Sequence, residues 1–296
     1  MASVRPAWME KPRPITNVAR AAALVLVVVM VVLPFLVVIS TSLASSDEVT
    51  NSGGWVLIPT HPSFAAYRDI LSGGVVTHAL LVSAGITVFG TLVSLVCTVS
   101  LAYVLSRPRF FAGKPLLLLV LFTFLFPPGI IPSYLVVKSL GLLDSYASLF
   151  LPVTINVFNL VVVRGFFQAL PSELYDSARL DGAREWQMLV RIVIPLSKAV
   201  IAVVGLFYAV AYWNSFFTAF LYLNDSSKWP LSAVLRLFVT QGAQLGGANA
   251  TESASYQAPQ TVQMAVVVLA TVPILCVYPF LQRYFTKGVL TGAVKA

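Results

Sequence analysis

The side chains that most often carry catalysis are few in this 296-residue sequence, and their spacing excludes most reactions. The two histidines, His61 and His78, stand singly, as surface histidines do, rather than in a ligand or acid–base set. Gly113-Lys114 is followed by Pro115, so that lysine does not belong to a phosphate-cradling G-x-x-x-x-G-K-[ST] loop. H-E-x-x-H, C-x-x-C and G-x-S-x-G spacings are all missing. Cys97 and Cys276 sit inside apolar runs and read as packed free thiols, not as a disulfide or a metal site. An intramembrane protease or acyltransferase needs a nucleophile or metal constellation, and no such set is present.

What the sequence does offer is recognition chemistry. Between Gln168 and Lys198, carboxylates and cations alternate with small and apolar residues. Pro171-Ser172 reads as a helix start, with Glu173 and Asp176 in the first turn, where carboxylates favour the positive end of the helix dipole. Leu174 and Ala178 fall at i, i+4, and Tyr175 and Arg179 do the same one face over. Gly182 is placed to stop the helix. A second helical stretch then leads to Ile194-Pro195-Leu196. The spacing alone leaves two readings open: a rigid docking element, or a hairpin that merely joins its neighbours.

The elements that hold this loop are set by composition. The chain is 58% hydrophobic and 10% charged, with a mean hydropathy of +0.87. Soluble domains are nearer 25% charged. A bilayer core of about 30 Å takes about 20 helical residues. Six runs approach that length: Ala21 to Ile39, His78 to Leu105, Leu116 to Val137, Leu149 to Val163, Ala199 to Tyr222, and Val262 to Phe280. The first is too long for a signal-peptide core and reads as an uncleaved anchor. The fourth is interrupted by Asn156 and Asn159. With the N-terminus inside, 15 of the 19 Lys and Arg fall on the cytoplasmic side, which predicts six spans with both termini inside. The same bias explains the net charge of +8 without nucleic acid as a partner. The expected organisation is a leader 1–20, a membrane domain 21–283 with outer loops 43–77 and 224–260 and a cytoplasmic loop 168–198, and a tail 284–296.

Prolines mark irregular places. Pro34 lies within the first run, and Pro127-Pro128-Gly129 with Pro132 predicts a break in the third, either a plain kink or a break that lines a pathway. In the first outer loop Ser63 reads as the cap of a short helix through Tyr67. In the second, Leu231, Val234, Leu235 and Phe238 predict an amphipathic helix on the outer surface. The stretch Gln241 to Pro259, with the sequon Asn249-Ala250-Thr251, reads as mobile or partner-ordered. The runs contain no Asp, Glu, Lys or Arg at mid-depth, which argues against a stand-alone secondary transporter with a charged relay.

The eleven residues Glu173 to Ala183, followed by Pro195, resemble the EAA loop of permease subunits of bacterial ATP-binding-cassette importers. Asp176-Ser177-Ala178 stand for Glu-Ala-Ala, Asp181-Gly182-Ala183 are kept, and Ile192-Val193-Ile194-Pro195 close the motif. Trp213-Asn214 with Phe216-Phe217 and the ending Lys287 to Lys295 are similar to the carbohydrate-uptake, maltose-type branch, and Trp229-Pro230-Leu231 with the stretch Tyr278 to Phe285 resembles a subgroup linked to oligosaccharides from complex polysaccharides. The resemblance covers about residues 15 to 295. It implies an all-α membrane protein with the type I (MetI-like) importer fold, in the bacterial cytoplasmic membrane. It implies a second permease, two ATP-binding subunits and an extracytoplasmic solute-binding protein that delivers a sugar or oligosaccharide. ATP and magnesium would be bound by the partner ATPase, with no cofactor and no catalytic residue in this chain. A non-sugar solute is the alternative cargo.

The resemblance also places coupling to the ATPase on Glu173, Asp176, Ser177, Ala178, Arg179, Asp181, Gly182 and Ala183. Within it Gly182 breaks the backbone, Asp176 and Asp181 cap or pair, and Ala178 allows close approach. For the cargo, aromatic stacking and neutral hydrogen bonds direct attention to Asn156, Asn159, Tyr208, Tyr212, Trp213 and Asn214. The same six residues also fit a role in helix packing.

Overall fold

The computed structural model describes residues 14–72, 74–108, 110–241 and 259–293. The leader residues 1–13, Gly73, Arg109, the stretch 242–258 with its sequon, and the end of the tail, 294–296, lie outside the described residues. Among the described residues all regular structure is helical. In chain order the helices are α1 (Pro14–Leu43), α2 (Ser46–Asn51), α3 (Ala65–Leu71), α4 (Val75–Ser106), α5 (Gly113–Leu125), α6 (Ile130–Ser139), α7 (Ala147–Phe150) and α8 (Val157–Gln168). They continue as α9 (Ser172–Leu180), α10 (Glu185–Met188), α11 (Ile194–Leu196), α12 (Lys198–Trp213), α13 (Phe216–Tyr222), α14 (Leu231–Gln241) and α15 (Pro259–Ala293).

Three stretches are each long and apolar enough to cross a bilayer: Ile15–Leu43, Val75–Ser106 and Gln260–Val277. Three bent pairs reach the same length together: Gly113–Leu125 with Ile130–Ser139, Ala147–Val153 with Val157–Gln168, and Glu185–Leu196 with Lys198–Trp213. The described residues therefore carry three to six candidate spans. The first pair is bent by 118°, so α6 turns back from the direction of α5. The bend lies at Phe126–Gly129, where two prolines remove donors and Gly129 takes φ 85°. The second pair bends by 51° after Pro152. There Asn156 does not interrupt a helix; its side chain caps α8, Oδ1 accepting from Asn159 N at 3.1 Å.

The expected continuous fifth span, Ala199 to Tyr222, is corrected by the structure. Helix α12 stops at Trp213, and α13 restarts at Phe216. Asn214 Nδ2 donates to Val210 O at 2.8 Å and Ser215 Oγ to Tyr212 O at 2.6 Å. Two adjacent side chains thus take up carbonyls of the last turn, and short polar residues of this kind compete with the helix ladder. Helix α15 runs to Ala293 with Pro273 and Pro279 inside it, so residues expected as a tail from 284 begin as helix.

The chain divides into two compact units, Met1–Arg68 with Gly246–Val268, and Asp69–Leu245 with Leu269–Ala296. In the first, Ala44, Val49 and Val56 form a small buried cluster. Thr41 Oγ1 accepts from Val56 N at 3.1 Å, and Ser42 Oγ shares a proton with Tyr67 Oη at 2.7 Å. Ser63 Oγ accepts from Ala65 N at 3.2 Å at the start of α3. In the second unit, α4 is the central helix and packs against α8, α12 and α14. Helix α14 is not confined to an outer surface: Leu231, Ala233 and Val234 are buried, and Leu231 N donates to Ser83 Oγ at 2.7 Å.

Candidate functional site

Helix α9 forms as the sequence predicts and ends on a backbone device. Asp181 is the cap and Gly182 takes φ 76°, a conformation that costs side-chain-bearing residues about 1–2 kcal/mol. Gly182 N donates to Arg179 O at 3.0 Å, and Ala183 N reaches back to Ala178 O at 2.9 Å. This is the paired closure of a Schellman turn, and it fixes the direction in which the chain leaves the helix. A four-residue α10 follows, then a π-helical turn at Leu189–Val193, then α11.

The two faces of α9 differ. Tyr175 and Ala178 are buried in the chain's own core, so the small residue expected to admit a partner is already covered from within. Glu173, Asp176, Ser177 and Asp181 are exposed, as is Gly182. Arg179 is half-buried, with Nη1 3.3 Å from Asp176 Oδ1 and Nη2 3.4 Å from Glu185 Oε1. Two large apolar side chains not singled out from the sequence project at this tip: Leu180, 89% exposed, and Trp186, 69% exposed.

Behind α9 stands Arg107, the residue that ends α4. Its guanidinium carbon lies 3.7 Å from the Tyr175 ring centre and 4.2 Å from that of Tyr103. Each such contact contributes about 0.5–2 kcal/mol. Nη2 also donates to the Tyr103 hydroxyl and lies 3.5 Å from Glu185 Oε2, which in turn accepts from Tyr103 Oη at 2.6 Å. Burial raises the pKa of the Tyr175 phenol against the pull of the Arg107 charge. Arg164 completes the corner: its Nε donates to Leu105 O at 3.0 Å, satisfying a carbonyl in the last turn of α4. In the sequence Arg107 counted only towards the charge bias, because nothing in its neighbours announces two rings arriving from 68 positions further on and 4 positions back.

The second feature is a cavity of about 570 Å³. Five of the six expected cargo residues line it: Asn156, Asn159, Tyr208, Tyr212 and Asn214. The rest of the wall combines the rings of Phe158, Phe207, Phe216 and Phe217 with aliphatic and small hydroxyl side chains. The break between α12 and α13 forms part of the wall. Trp213 stands apart from the cavity and donates from Nε1 to Ala270 O of α15 at 2.9 Å.

The tyrosine hydroxyls are held within the protein. Tyr212 Oη shares a proton with Ser94 Oγ at 2.6 Å, and Tyr208 Oη with Thr98 Oγ1 at 2.7 Å. Tyr208 Oη also accepts from Asn156 N at 2.9 Å. Residue 94 meets 212 and 98 meets 208, so α4 and α12 run antiparallel. Gly90, Ser94, Thr98 and Ala102 form a small-residue row on α4 that lets the tyrosine rings approach closely.

Residues 90–291, which include the Schellman-ended helix and the cavity, match the family described as binding-protein-dependent transport system inner membrane components, and the chain belongs to it. It is thus a permease subunit of a transport system and a multi-pass membrane protein. It is 50% identical over 266 residues to the polygalacturonan/rhamnogalacturonan transport system permease YtcP of Bacillus subtilis (strain 168), covering 89% of this chain and 92% of that one. It is 48% identical over 266 residues to protein LplC of the same organism, covering 89% of each. Among solved structures, a bacterial ABC transporter involved in import of the acidic polysaccharide alginate matches with a TM-score of 0.85 at 29% identity, over 94% of this chain and 99% of that chain.

Proposed function

We propose that this chain is one of two permeases of an ATP-driven importer and that it carries an oligosaccharide released from a plant- or alga-type polysaccharide. The cargo reading draws on the relatives whose names concern polygalacturonan, rhamnogalacturonan and alginate. It is supported by the chemistry of the cavity, whose wall offers aromatic ring faces and side-chain amides, the groups that stack on sugars and bond their hydroxyls. In this reading six spans place both termini in the bacterial cytoplasm, and α9 faces the cytoplasm. An extracytoplasmic protein delivers the sugar, and separate subunits bind ATP and magnesium and hydrolyse the nucleotide.

The observation that carries the coupling role is the division of α9: Tyr175 and Ala178 root it in the chain, while Glu173, Asp176, Asp181 and the apolar Leu180 remain open at its tip. A rooted peg with an open apolar tip transmits force when a partner grips it. The test is Asp181→Arg and Gly182→Arg in cells that depend on the importer. Loss of oligosaccharide uptake together with loss of ATPase co-purification is expected. Retention of both ends the docking reading. Uptake assayed with oligogalacturonides beside neutral maltodextrins decides the cargo class.

A further inference from the structure

Resting on the coupling role just proposed for α9, the geometry points to Arg107 as the positioning residue that joins α9 to α4, so that a displacement of the peg moves the wall of the cavity. The guanidinium lies between the rings of Tyr103 on α4 and Tyr175 on α9, while Nη2 reaches Glu185 at the head of α10. One side chain thus links three helices at the end of α4. Arginine suits the place because its planar cation can stack on rings and offer a fork of donors at once. The Arg179 bonds to Asp176 and Glu185 are more open to water and hold less firmly.

What lies two to four turns back along α4 gives the linkage its consequence. From Arg107 to Thr98 is nine residues, about 14 Å of helix, and to Ser94 about 20 Å at 1.5 Å per residue. Those two residues hold the hydroxyls of Tyr208 and Tyr212, whose side chains line the cavity. From Thr98 to Ser106, next to the capping Arg107, the helix is unbroken. A shift of α9 therefore enters α4 at Arg107 and leaves it at the tyrosines. Without Arg107 the peg can move while α4 stays behind.

The experiment uses the full importer reconstituted in proteoliposomes, with Arg107→Gln compared to the wild type. The expected result is an assembled complex that hydrolyses ATP but takes up about one-tenth or less of the solute per ATP. Arg107→Lys, which keeps the charge for Glu185 and loses the planar stack, should recover part of that ratio. An unchanged ratio in Arg107→Gln overturns the inference. Should that variant fail to assemble, Tyr175→Leu, which removes one ring and its hydroxyl's long bond to Phe167 O, is read in the same way, and a normal ratio there overturns it. A second readout does not depend on the cargo. Spin labels at Val104→Cys and Ser172→Cys, in a Cys97→Ala, Cys276→Ala background, report the distance from α4 to α9. That distance should hold through the nucleotide cycle in the wild type and change in Arg107→Gln. Equal behaviour in both overturns the linkage, whereas a wild-type complex that moves no oligosaccharide sinks only the cargo reading.

Discussion

Lys228 Nζ lies 2.6 Å from Asp144 Oδ2 and 2.9 Å from the Asp144 carbonyl, which ties the loop before α7 to the turn after α13. Asp144 is fixed further by Asn224 N and Asp225 N, which donate to Oδ1 at 3.2 and 3.0 Å. It sits at φ 58°, an unusual place for a residue with a side chain. The lysine holds the Asp144 carboxyl below the usual carboxylate range, and the carboxylate holds the Lys228 ammonium above the usual lysine range. A lowered acid adds stability that is complete above its unfolded pKa and is lost as pH falls through the folded one. A raised base adds stability that is complete below its unfolded pKa and is lost as pH rises through the folded one. Asp144→Asn should therefore lower Tm by a constant amount across neutral pH. The difference from wild type should disappear as pH falls below the ordinary carboxylate range, which a pH series of thermal melts in nanodiscs would check.

Two substitutions at Gly182 separate backbone strain from a contact with the partner. Among the described residues no atom beyond the adjoining ones lies within 4 Å of where a Cβ would stand, so a substitution is opposed by backbone strain and not by crowding. Gly182→Val should cost about 1–2 kcal/mol in the turn and weaken ATPase binding. Gly182→Asn, which tolerates the left-handed region, should keep most of it. Equal loss in the two variants would point to a steric contact with the partner instead.

The two tyrosines of the cavity should respond unequally to loss of their hydroxyls. Tyr212→Phe removes one bond, to Ser94, and should cost about 0.5–1.5 kcal/mol. Tyr208→Phe removes the bond to Thr98 and also the acceptor for Asn156 N, so about 1–3 kcal/mol is expected. Both keep their rings in the wall, so Tm should fall while KM for uptake changes little.

Gly90 and Gly205 both face close neighbours, with different consequences. A Cβ at Gly90 would stand 3.1 Å from the Tyr212 ring and 3.3 Å from Phe150 Cβ. A Cβ at Gly205 would meet the mobile end of Leu95 at 3.2 Å. Gly90→Ala should thus cost about 1–3 kcal/mol and disturb uptake, while Gly205→Ala should be nearly silent in both melts and transport.

How far the sequence could be read depended on whether a feature is local. The stop at Gly182, the start at Ser172 and the break at Pro127-Pro128-Gly129 are written in adjacent residues, and each formed where its chemistry predicts. Asn156 was visible as a polar residue in an apolar run, but the same amide that reads as an interruption serves as a cap once Pro152 has ended the preceding turn. The end of α12 at Trp213 was hidden because Asn214 and Ser215 sit between two strongly apolar stretches, and their effect lies in carbonyl bonds, not in hydropathy. The burial of Ala178 and the stacking of Arg107 are tertiary facts. They depend on which helices meet, and a single sequence does not show this.

The Tyr208 and Tyr212 hydroxyls are tied to Thr98, Ser94 and the Asn156 backbone, and in the proposed transport role this constrains how cargo is handled. A ring anchored by its far end cannot swing out to embrace a visitor, so the wall has one shape for each arrangement of its helices. Grip is then a property of helix spacing: a shift between α4 and α12 moves both anchored rings together. In that role such an open hollow lends itself to release all at once rather than bond by bond, which suits a passage better than a store.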